Sequence, residues 1–294
     1  MRKNSPSKLL RLVSIFVLLA LFFGGCTSVA AGENEDVSND TPPAQEQPQP
    51  PQSDTEDSGN QNSDSGSDNN NNDTPPPAPS KKRVALTFDD GPHNVYTKKI
   101  VDALAQYGAH ATFFVVGNRV DGGAYNGRAG IEYAIANGHE IGIHGYTHTK
   151  YYNNCSDTDF NYELSKTFSA IGAVSPTTSV KLMRPIGGAI TEGRVDSCPY
   201  AVIMWNIDSE DWKNKYSSDD TEAMRQEKAQ RIADNVLSTI KENGIILMHD
   251  IYESTYDALL IVLDRLYAQG YEVVTVSELL GDKLKTGEKY YSGQ

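Results

Sequence analysis

Apolar runs of strand length alternate with amphipathic helical patterns from residue 81 onward, and this alternation narrows the possible folds most. The spacing predicts seven strands, over residues 83–88, 111–116, 140–144, 180–184, 201–207, 244–248 and 272–276. It predicts five helices between them, over residues 97–107, 130–137, 157–174, 221–241 and 255–269. Such alternation predicts an α/β fold with parallel strands. The two candidates are an open doubly wound sheet and an incomplete (β/α)7 barrel.

Polar side chains collect at the carboxyl ends of the predicted strands. Five strand ends carry them: Asp89 and Asp90, His144, Arg184, Asp208 and Asp211, and His249. Any one of these could be a helix cap or a turn residue, but capping does not explain five ends together. In parallel α/β folds, the loops at this edge assemble binding and catalytic sites. The pattern therefore favours the barrel and predicts a site at its mouth.

The first 80 residues have a composition that cannot form a core. Residues 27–80 contain 11 Asp and Glu, no Lys or Arg, and otherwise mostly Ser, Asn, Gln, Gly and Pro. This predicts a disordered acidic tether over residues 26–80 and one domain over residues 81–294. The formal net charge of −13 arises mainly in the tether, and the domain has no basic excess to neutralise phosphates. We therefore expect no nucleic acid partner.

Residues 1–25 have the order of an export signal peptide. Basic residues precede an apolar run over residues 12–23, and two glycines precede Cys26. This run of 12 residues is short for a bilayer span, which needs about 20, although a single membrane anchor is an alternative. The segment resembles a bacterial lipoprotein signal, with Phe23 where that pattern usually has Leu. It implies a lipid on Cys26 that anchors an extracytoplasmic protein to the outer face of the membrane; a secreted protein is another alternative.

The export signal also bears on the other cysteines. With Cys26 assigned to lipid, Cys155 and Cys198 remain in an oxidising compartment. A structural disulfide between them and two free thiols are both open.

Two adjacent carboxylates follow the first predicted strand. Asp89 and Asp90 precede Gly91 and Pro92, so they lie on a turn and need not point to opposite faces. One could bind a metal ion while the other takes the proton of a water molecule. The alternative is an ordinary turn.

Two imidazoles follow the third predicted strand. His144 and His148 are four residues apart, a separation at which a turn or helix presents both rings to one cation. With Asp89 or Asp90 they complete a set of two histidines and one carboxylate, typical of catalytic zinc. This set suits Zn²⁺, and also Co²⁺, Ni²⁺ or Fe²⁺. A chance pairing of the histidines is the alternative.

Three further segments supply what a hydrolytic metal site needs. His249 is a candidate general acid, or else a structural histidine. Asp208 and Asp211 bring carboxylates that could orient this imidazole, and Trp212 could wall an apolar pocket. Arg184 could orient an ionised Asp, and the glycines after it have N–H groups that can approach an oxyanion. Ordinary turns are the alternative for the last two segments.

The order of these motifs resembles the polysaccharide deacetylase (NodB homology) domain of carbohydrate esterase family 4. Five motifs follow the family's order, over residues 87–92, 144–148, 184–188, 208–212 and 247–249. The resemblance covers nearly all of residues 81–280. It implies an incomplete (β/α) barrel and a hydrolase that uses one divalent metal ion. Members of the family remove acetyl groups from N-acetylated sugars, or occasionally O-acetyl groups.

The resemblance implies metal ligands, proton-transfer residues and a substrate pocket. The implied metal ligands are Asp90, His144 and His148. The implied catalytic residues are Asp89 as general base, His249 as general acid, Arg184 to orient Asp89, and Asp211 to pair with His249. The implied pocket consists of Trp212 and Leu247 around the acetyl methyl group and the backbone N–H of Gly187.

Two departures from the family pattern lie inside motifs. Gly145 stands where the family usually has Ser or Thr, whose hydroxyl braces the loop of residues 144–148, which we call the histidine loop. Ile186 replaces a usual Pro, and Gly187 replaces a common aromatic residue. The first departure concerns the histidine loop and the second concerns sugar specificity.

The metal set and the tether together predict an enzyme that removes acetate from N-acetylated amino sugars of a cell-surface polysaccharide. Peptidoglycan is the first choice, because a membrane-tethered enzyme meets the wall directly; a chitin-like polymer is the second. The alternatives are a xylan-type O-acetyl esterase and an inactive glycan-binding surface module. We expect a monomer.

Overall fold

The computed structural model describes residues 81–294. The predicted signal peptide, lipid attachment site and tether lie outside the described residues. Within residues 81–294, none of the helices combines the length and the apolar character needed to cross a membrane.

Nine strands lie in residues 81–294, and every pairing between them is parallel. They are β1 (Lys82–Asp89), β2 (Thr112–Val115), β3 (Glu140–Ile143), β4 (Leu182–Met183), β5 (Ala201–Ile203), β6 (Ile207–Asp208), β7 (Gly244–His249), β8 (Tyr271–Val274) and β9 (Lys289–Tyr290). The short strand β9 was not predicted from the sequence.

Eight α-helices accompany the strands in this part of the chain. They are α1 (Tyr96–Ala105), α2 (Gly117–Val120), α3 (Arg128–Ala136), α4 (Asp157–Val174), α5 (Glu192–Asp196), α6 (Glu222–Thr239), α7 (Glu253–Ala268) and α8 (Val276–Leu280). The two longest, α4 and α6, begin after Ser156 and Thr221, whose side chains accept hydrogen bonds from backbone N–H groups of the first turn. The five longer helices, α1, α3, α4, α6 and α7, correspond to the predicted ones. The short helices α2, α5 and α8 have too few residues to show a helical period of apolar residues in the sequence.

The strands form one sheet that curls into an incomplete barrel. The strand order is β6-β7-β1-β2-β3-β4-β5-β9, and β8 also pairs with β1. β5 and β6 are consecutive in the chain but lie towards opposite ends of this order, so residues 204–206 link the two sides of the curled sheet. The predicted α/β fold with an incomplete (β/α)7 barrel is confirmed.

The fifth predicted strand, residues 201–207, is wrong as a single strand. It is divided into β5 and β6, which pair with different neighbours. Between them, Asn206 binds the backbone of Ile245 in β7: its N–H donates to the Ile245 carbonyl, and its side-chain Oδ1 accepts from the Ile245 N–H. The apolar run does not reveal this division, because its two ends are equally buried.

Successive side chains of β1 point to opposite faces of the sheet, so every second one faces the barrel interior. Leu86 and Phe88 belong to the apolar layer between the sheet and the helices. Ala85 belongs to a smaller cluster on the other face, and Thr87 and Asp89 follow it at the two-residue period of a strand. Asp89 is therefore carried to the carboxyl end of the barrel and points inward.

Candidate active site

A cavity of about 470 Å³ opens at the carboxyl end of the sheet. It is lined by Asp89, Asp90, His144, His148, Tyr151, Ile186, Gly187, Trp205, Asp208, Trp212, Leu247, His249 and Tyr252. The structure thus brings eight of the ten site residues implied by the resemblance to one cavity, together with the candidate Asp208. The remaining two, Arg184 and Asp211, are fully buried and bind lining residues from behind.

The turn after β1 presents both carboxylates to the cavity. Asp90 has a φ of 72°, a left-handed conformation that is uncommon for a residue other than glycine and that clusters at functional sites. Arg119 of α2 donates a hydrogen bond to the Asp90 carbonyl, and the Val116 N–H donates to the Gly91 carbonyl at 2.8 Å. The segment after β2 therefore fixes the turn.

Asp90, His144 and His148 form a compact cluster. One ligand atom of each lies within 4.8 Å of the others. Nε2 of His148 is 2.7 Å from Asp90 Oδ1, and Nε2 of His144 is 3.5 Å from the same oxygen. This oxygen is buried and accepts no well-aligned hydrogen bond within residues 81–294. A buried carboxylate oxygen that faces two imidazole nitrogens in this way fits a cation ligand.

The protonation states in the cluster also suit metal binding. His144 Nδ1 lies 2.9 Å from the Arg184 carbonyl, which can only accept, so Nδ1 carries the proton and Nε2 presents its lone pair to the cluster. Burial lowers the pKa of His144, which favours the neutral ring. Burial alone would raise the pKa of Asp90, but the His148 and His144 imidazoles outweigh it and hold this pKa well below its ordinary value. One ionised carboxylate and two imidazoles fit Zn²⁺ and similar divalent metals.

Glu163 on α4, which was not predicted from the sequence, holds the loop between the two histidines. Its buried carboxylate accepts hydrogen bonds from the Tyr146 N–H at 2.5 Å, the Thr147 N–H at 2.8 Å and the Thr147 hydroxyl at 2.5 Å. One feature of the sequence could have pointed to Glu163: it is an acidic residue in the apolar stripe of a helix, between Phe160 and Leu164.

Gly145 has no room for a side chain. It has a φ of 82°, and a Cβ there would lie 2.8 Å from the Tyr152 hydroxyl and 3.1 Å from Glu163 Oε2. In this chain the histidine loop is therefore braced by Glu163 and Thr147, instead of by a hydroxyl at residue 145.

Arg184 extends across the barrel interior and is fully buried. It donates four hydrogen bonds, to Asp89 Oδ1 (2.8 Å), Thr87 Oγ1 (2.8 Å), Ile203 O (3.0 Å) and Met204 O (3.0 Å). The guanidinium thus joins β1 to the end of β5 and fixes one oxygen of Asp89. The other oxygen of Asp89 lies 3.7 Å from His144 Nε2.

Asp211 is fully buried behind His249. It accepts four hydrogen bonds, from His249 Nδ1 (2.7 Å), His249 N (2.7 Å), Thr255 Oγ1 (2.7 Å) and Trp212 N (2.8 Å). Burial alone would lower the pKa of His249, but the charge and hydrogen bond of Asp211 outweigh it and raise the pKa to about 9. The imidazole is therefore protonated at neutral pH.

Asp208 does not share this role. One of its oxygens accepts a hydrogen bond from Trp205 Nε1 at 3.2 Å, and the other accepts from the Glu210 N–H at 2.8 Å. Of the two carboxylates that could orient His249, Asp211 binds it and Asp208 fixes the Trp205 ring.

Aromatic residues form much of the cavity wall. Leu247 is buried in β7, whereas Trp212 is 48% exposed. Tyr151, Trp205 and Tyr252 also line the cavity and were not predicted. Single aromatic residues in irregular loops have no periodicity that would identify them.

Cys155 and Cys198 are both free thiols in the structure. Arg194 Nη1 donates a hydrogen bond to Cys155 Sγ at 3.2 Å, and burial raises the pKa of the Cys198 thiol. The sequence left open a disulfide or two free thiols, and the structure has two free thiols.

Comparison with known proteins identifies the family. Residues 77–198 match the family model described as polysaccharide deacetylase. The chain is 34% identical over 211 residues to a peptidoglycan-N-acetylglucosamine deacetylase of Bacillus cereus, across 68% of this chain and 89% of that protein. The chain belongs to the polysaccharide deacetylase family, and the resemblance predicted from its motifs is confirmed.

Two longer relatives share this domain. PgdA of Listeria monocytogenes, a peptidoglycan-N-acetylglucosamine deacetylase, is 33% identical over 215 residues, which cover 72% of this chain and 42% of PgdA. PdaC of Bacillus subtilis, a peptidoglycan-N-acetylmuramic acid deacetylase, is 34% identical over 203 residues, which cover 68% of this chain and 39% of PdaC. The chain thus spans about two fifths of the length of these relatives.

Solved structures show the same fold. A family 4 acetyl xylan esterase from Clostridium thermocellum, in complex with a cobalt ion, is 30% identical with a TM-score of 0.61. The match covers 72% of this chain and 98% of that chain.

Proposed function

We propose that this chain is a metal-dependent hydrolase that removes acetyl groups from N-acetylated amino sugars of peptidoglycan. The observation that carries the proposal is a three-residue cation site flanked by two proton-transfer groups, Asp89 and His249, each held by a buried partner of opposite charge. The names of PgdA and PdaC favour peptidoglycan over a chitin-like polymer.

Asp90, His144 and His148 would hold one divalent metal ion. Zn²⁺ is our first choice, with Co²⁺, Ni²⁺ and Fe²⁺ as alternatives. When bound there, such an ion supplies Lewis-acid chemistry towards the acetyl carbonyl and the attacking water. The hydrogen bond from His144 Nδ1 to the Arg184 carbonyl keeps one ligand ring in a fixed orientation.

Asp89 is the proposed general base. Arg184 binds its Oδ1, so Oδ2 is the oxygen left to accept the proton of the attacking water. Because Arg184 is itself held by two backbone carbonyls, the orientation of this carboxylate is set before substrate binds.

His249 is the proposed general acid. Asp211 holds its Nδ1–H, which leaves Nε2–H to protonate the departing amine nitrogen. Cleavage of an amide needs this proton because an unprotonated amine leaves poorly. The Gly187 N–H would stabilise the oxyanion, while Trp212 and Leu247 hold the acetyl methyl group.

The proposed location is outside the cell membrane. A lipid on Cys26 would anchor the chain, and the acidic tether of residues 26–80 would let the domain reach the wall. We propose that it acts as a monomer and has no nucleic acid partner.

The test is acetate release by the purified protein from peptidoglycan fragments and from N-acetylglucosamine oligomers. We expect release with added Zn²⁺ or Co²⁺, and loss of release after chelation. Mass spectrometry of defined muropeptides then distinguishes N-acetylglucosamine from N-acetylmuramic acid as the deacetylated sugar. No acetate from either substrate with metal present would contradict the proposal.

O-acetyl esterase action on xylan is the second candidate. The similarity to a structure named acetyl xylan esterase favours it, because that match covers nearly the whole of the other chain. Acetate release from acetylated xylan that exceeds release from peptidoglycan would establish it. Glycan binding without turnover, in both the wild type and Asp89→Asn, would instead indicate the inactive binding module.

A further inference from the structure

We infer that Tyr151 is a glycan-contacting residue whose ring packs against a sugar unit of the polymer beside the acetylated one. The inference rests on the proposed function and deepens it, because it concerns how a polysaccharide chain is held across the same site. Tyr151 lies three residues beyond His148 and lines the same cavity as Asp89 and Asp90.

The Tyr151 ring occupies the space beside Gly187. A Cβ at residue 187 would lie 3.3 Å from Tyr151 Cε1 and 3.9 Å from its Cδ1. Gly187 also has a φ of 58°, which disfavours a side chain. The glycine after β4 therefore admits an aromatic ring from the loop after β3, and the two residues together make one wall of the cavity.

Buried neighbours hold the backbone at Tyr151 in place. Tyr152 is fully buried, its ring meets Phe160 edge-on at 5.1 Å, and its backbone forms a bridge with Ile190. The Tyr151 carbonyl accepts a hydrogen bond from the Cys155 N–H at 3.1 Å. The loop is thus tied to the segment that follows Gly187. Because its backbone is already fixed and a tyrosine has only two side-chain torsions, Tyr151 loses little conformational entropy when it binds a ligand.

The exposure and chemistry of Tyr151 suit a sugar ring. Tyr151 is 51% exposed although it borders a cavity lined with charged groups. A pyranose has an apolar face of C–H groups and a polar rim of hydroxyls, which matches the apolar face and polar tip of a tyrosine.

A second exposed aromatic residue, Trp212, lies on the other side of β1 in the strand order, after β6. Exposed rings on both sides of the catalytic carboxylate fit a polysaccharide that crosses the mouth. They do not fit a small molecule enclosed within it.

The experiment measures binding of an N-acetylglucosamine tetramer and of xylotetraose to the zinc-loaded Asp89→Asn protein. The Asp89→Asn protein is compared with four double variants, in which Asp89→Asn is combined with Tyr151→Ala, Tyr151→Leu, Tyr151→Phe or Tyr291→Ala. Tyr291 is the matched control because it is also 51% exposed and does not line the cavity. Thermal unfolding reports the fold of each variant, and Tyr151→Leu keeps apolar bulk without the flat ring.

We expect Tyr151→Ala and Tyr151→Leu to raise the Kd for a tetramer about 2- to 10-fold. Tyr151→Phe, which keeps the ring, should stay close to its parent, as should Tyr291→Ala. In the active protein, Tyr151→Ala should raise KM for the tetramer more than it lowers kcat.

The outcomes separate this inference from the proposed function. If the wild type releases no acetate from N-acetylglucosamine polymers but xylotetraose binding depends on Tyr151, the proposed substrate fails and the inference stands. Equal Kd values with and without the Tyr151 ring for both tetramers, or no binding of either tetramer, would overturn the inference.

Discussion

His249 and Asp211 are joined by two hydrogen bonds, one from the imidazole Nδ1–H to Oδ1 and one from the backbone N–H to Oδ2, each 2.7 Å long. One carboxylate therefore fixes both the ring and the main chain of the same histidine. Thr255 donates to Oδ2 as well, which holds Asp211 in its turn. The proposed proton donor is therefore oriented by two residues, Asp211 and Thr255, that are themselves fully buried.

Asp211→Asn should move the alkaline limb of the kcat/KM profile to lower pH. Asp211 raises the pKa of His249 to about 9, so removal of its charge lowers that pKa and the protonated acid disappears at a lower pH. The maximal rate should also fall, by about 10² or more. A pH–rate profile between pH 5 and 10 measures both effects. An alkaline limb that stays in place would contradict the role of Asp211.

His148→Ala and Asp89→Asn should fail in different ways. His148→Ala removes a proposed ligand, so the protein should lose both metal and activity, and excess metal should restore part of the rate. Asp89→Asn leaves Asp90, His144 and His148 in place, so the metal should stay bound while acetate release falls about 10²- to 10⁴-fold. Metal analysis beside a rate assay on each purified variant distinguishes the two results.

His249→Ala provides the internal control for this comparison. It should resemble Asp89→Asn, with metal retained and turnover lost, because His249 lies outside the Asp90, His144 and His148 cluster. A metal-free Asp89→Asn protein, or a His249→Ala protein with a normal rate, would show that the assignments are wrong.

Glu163→Ala should weaken metal binding even though Glu163 is not a proposed ligand. The substitution removes the acceptor of the Tyr146 and Thr147 N–H groups, while the adjacent proposed ligand His148 has a φ of 58°, a left-handed conformation that is costly for a residue other than glycine and needs support. We expect the Kd for Zn²⁺ to rise about 10- to 100-fold, measured by competition with a chromophoric chelator.

Two further variants make this result specific. Glu163→Gln keeps an oxygen that can accept hydrogen bonds from the Tyr146 and Thr147 N–H groups. Its Kd for Zn²⁺ should therefore lie between those of the wild type and Glu163→Ala. Glu132→Ala removes an exposed acid of α3 that pairs with Arg128, and its Kd should not change. Equal zinc affinity in Glu163→Ala and Glu132→Ala would refute the bracing role.

Asp250 should make the stability of the fold depend on pH. It is fully buried, Thr97 donates to one of its oxygens, and the other has no partner within residues 81–294. Burial raises its pKa from 3.8 to about 7. Because the unfolded chain loses this proton near pH 4, the folded state binds more protons between pH 4 and 7, and this group lowers stability as pH rises through that range.

Asp250→Asn cannot ionise, so its stability relative to the wild type should improve from pH 4 to 7. The expected change is about 2 to 4 kcal/mol, and it should level off above pH 7. Denaturant titrations of both proteins at several pH values measure it. Stability curves that run parallel over this range would show that Asp250 is ionised in the folded state.

The sequence predicted the site residues that lie next to a recognisable strand or at a recognisable spacing. The strand ends of β1, β3 and β7 carry their polar residues next to buried runs, so Asp89, His144 and His249 could be placed at one edge of the sheet before any contact was known. The spacing of His144 and His148 likewise indicated a shared cation, and the structure brings both rings to Asp90.

Features that depend on distant partners were missed. Glu163 lies in a helical stripe, and its partners in the histidine loop are 16 and 17 residues away. Tyr151 could not be placed on the cavity wall without knowing that Gly187 faces it. The division of residues 201–207 depends on β7, about 40 residues later, which binds Asn206.

The four hydrogen bonds of Arg184 give one side chain two roles, one in the proposed reaction and one in the barrel. Without it, Thr87 and the carbonyls of Ile203 and Met204 would lose a buried donor, and the strands that they belong to would lose a shared support. Asp89 belongs to the same unit, because its loss would leave the Arg184 guanidinium buried without its carboxylate partner. A descendant of this chain that had lost the reaction would therefore still be constrained at both residues by the barrel, so their retention alone would not show that it is an enzyme.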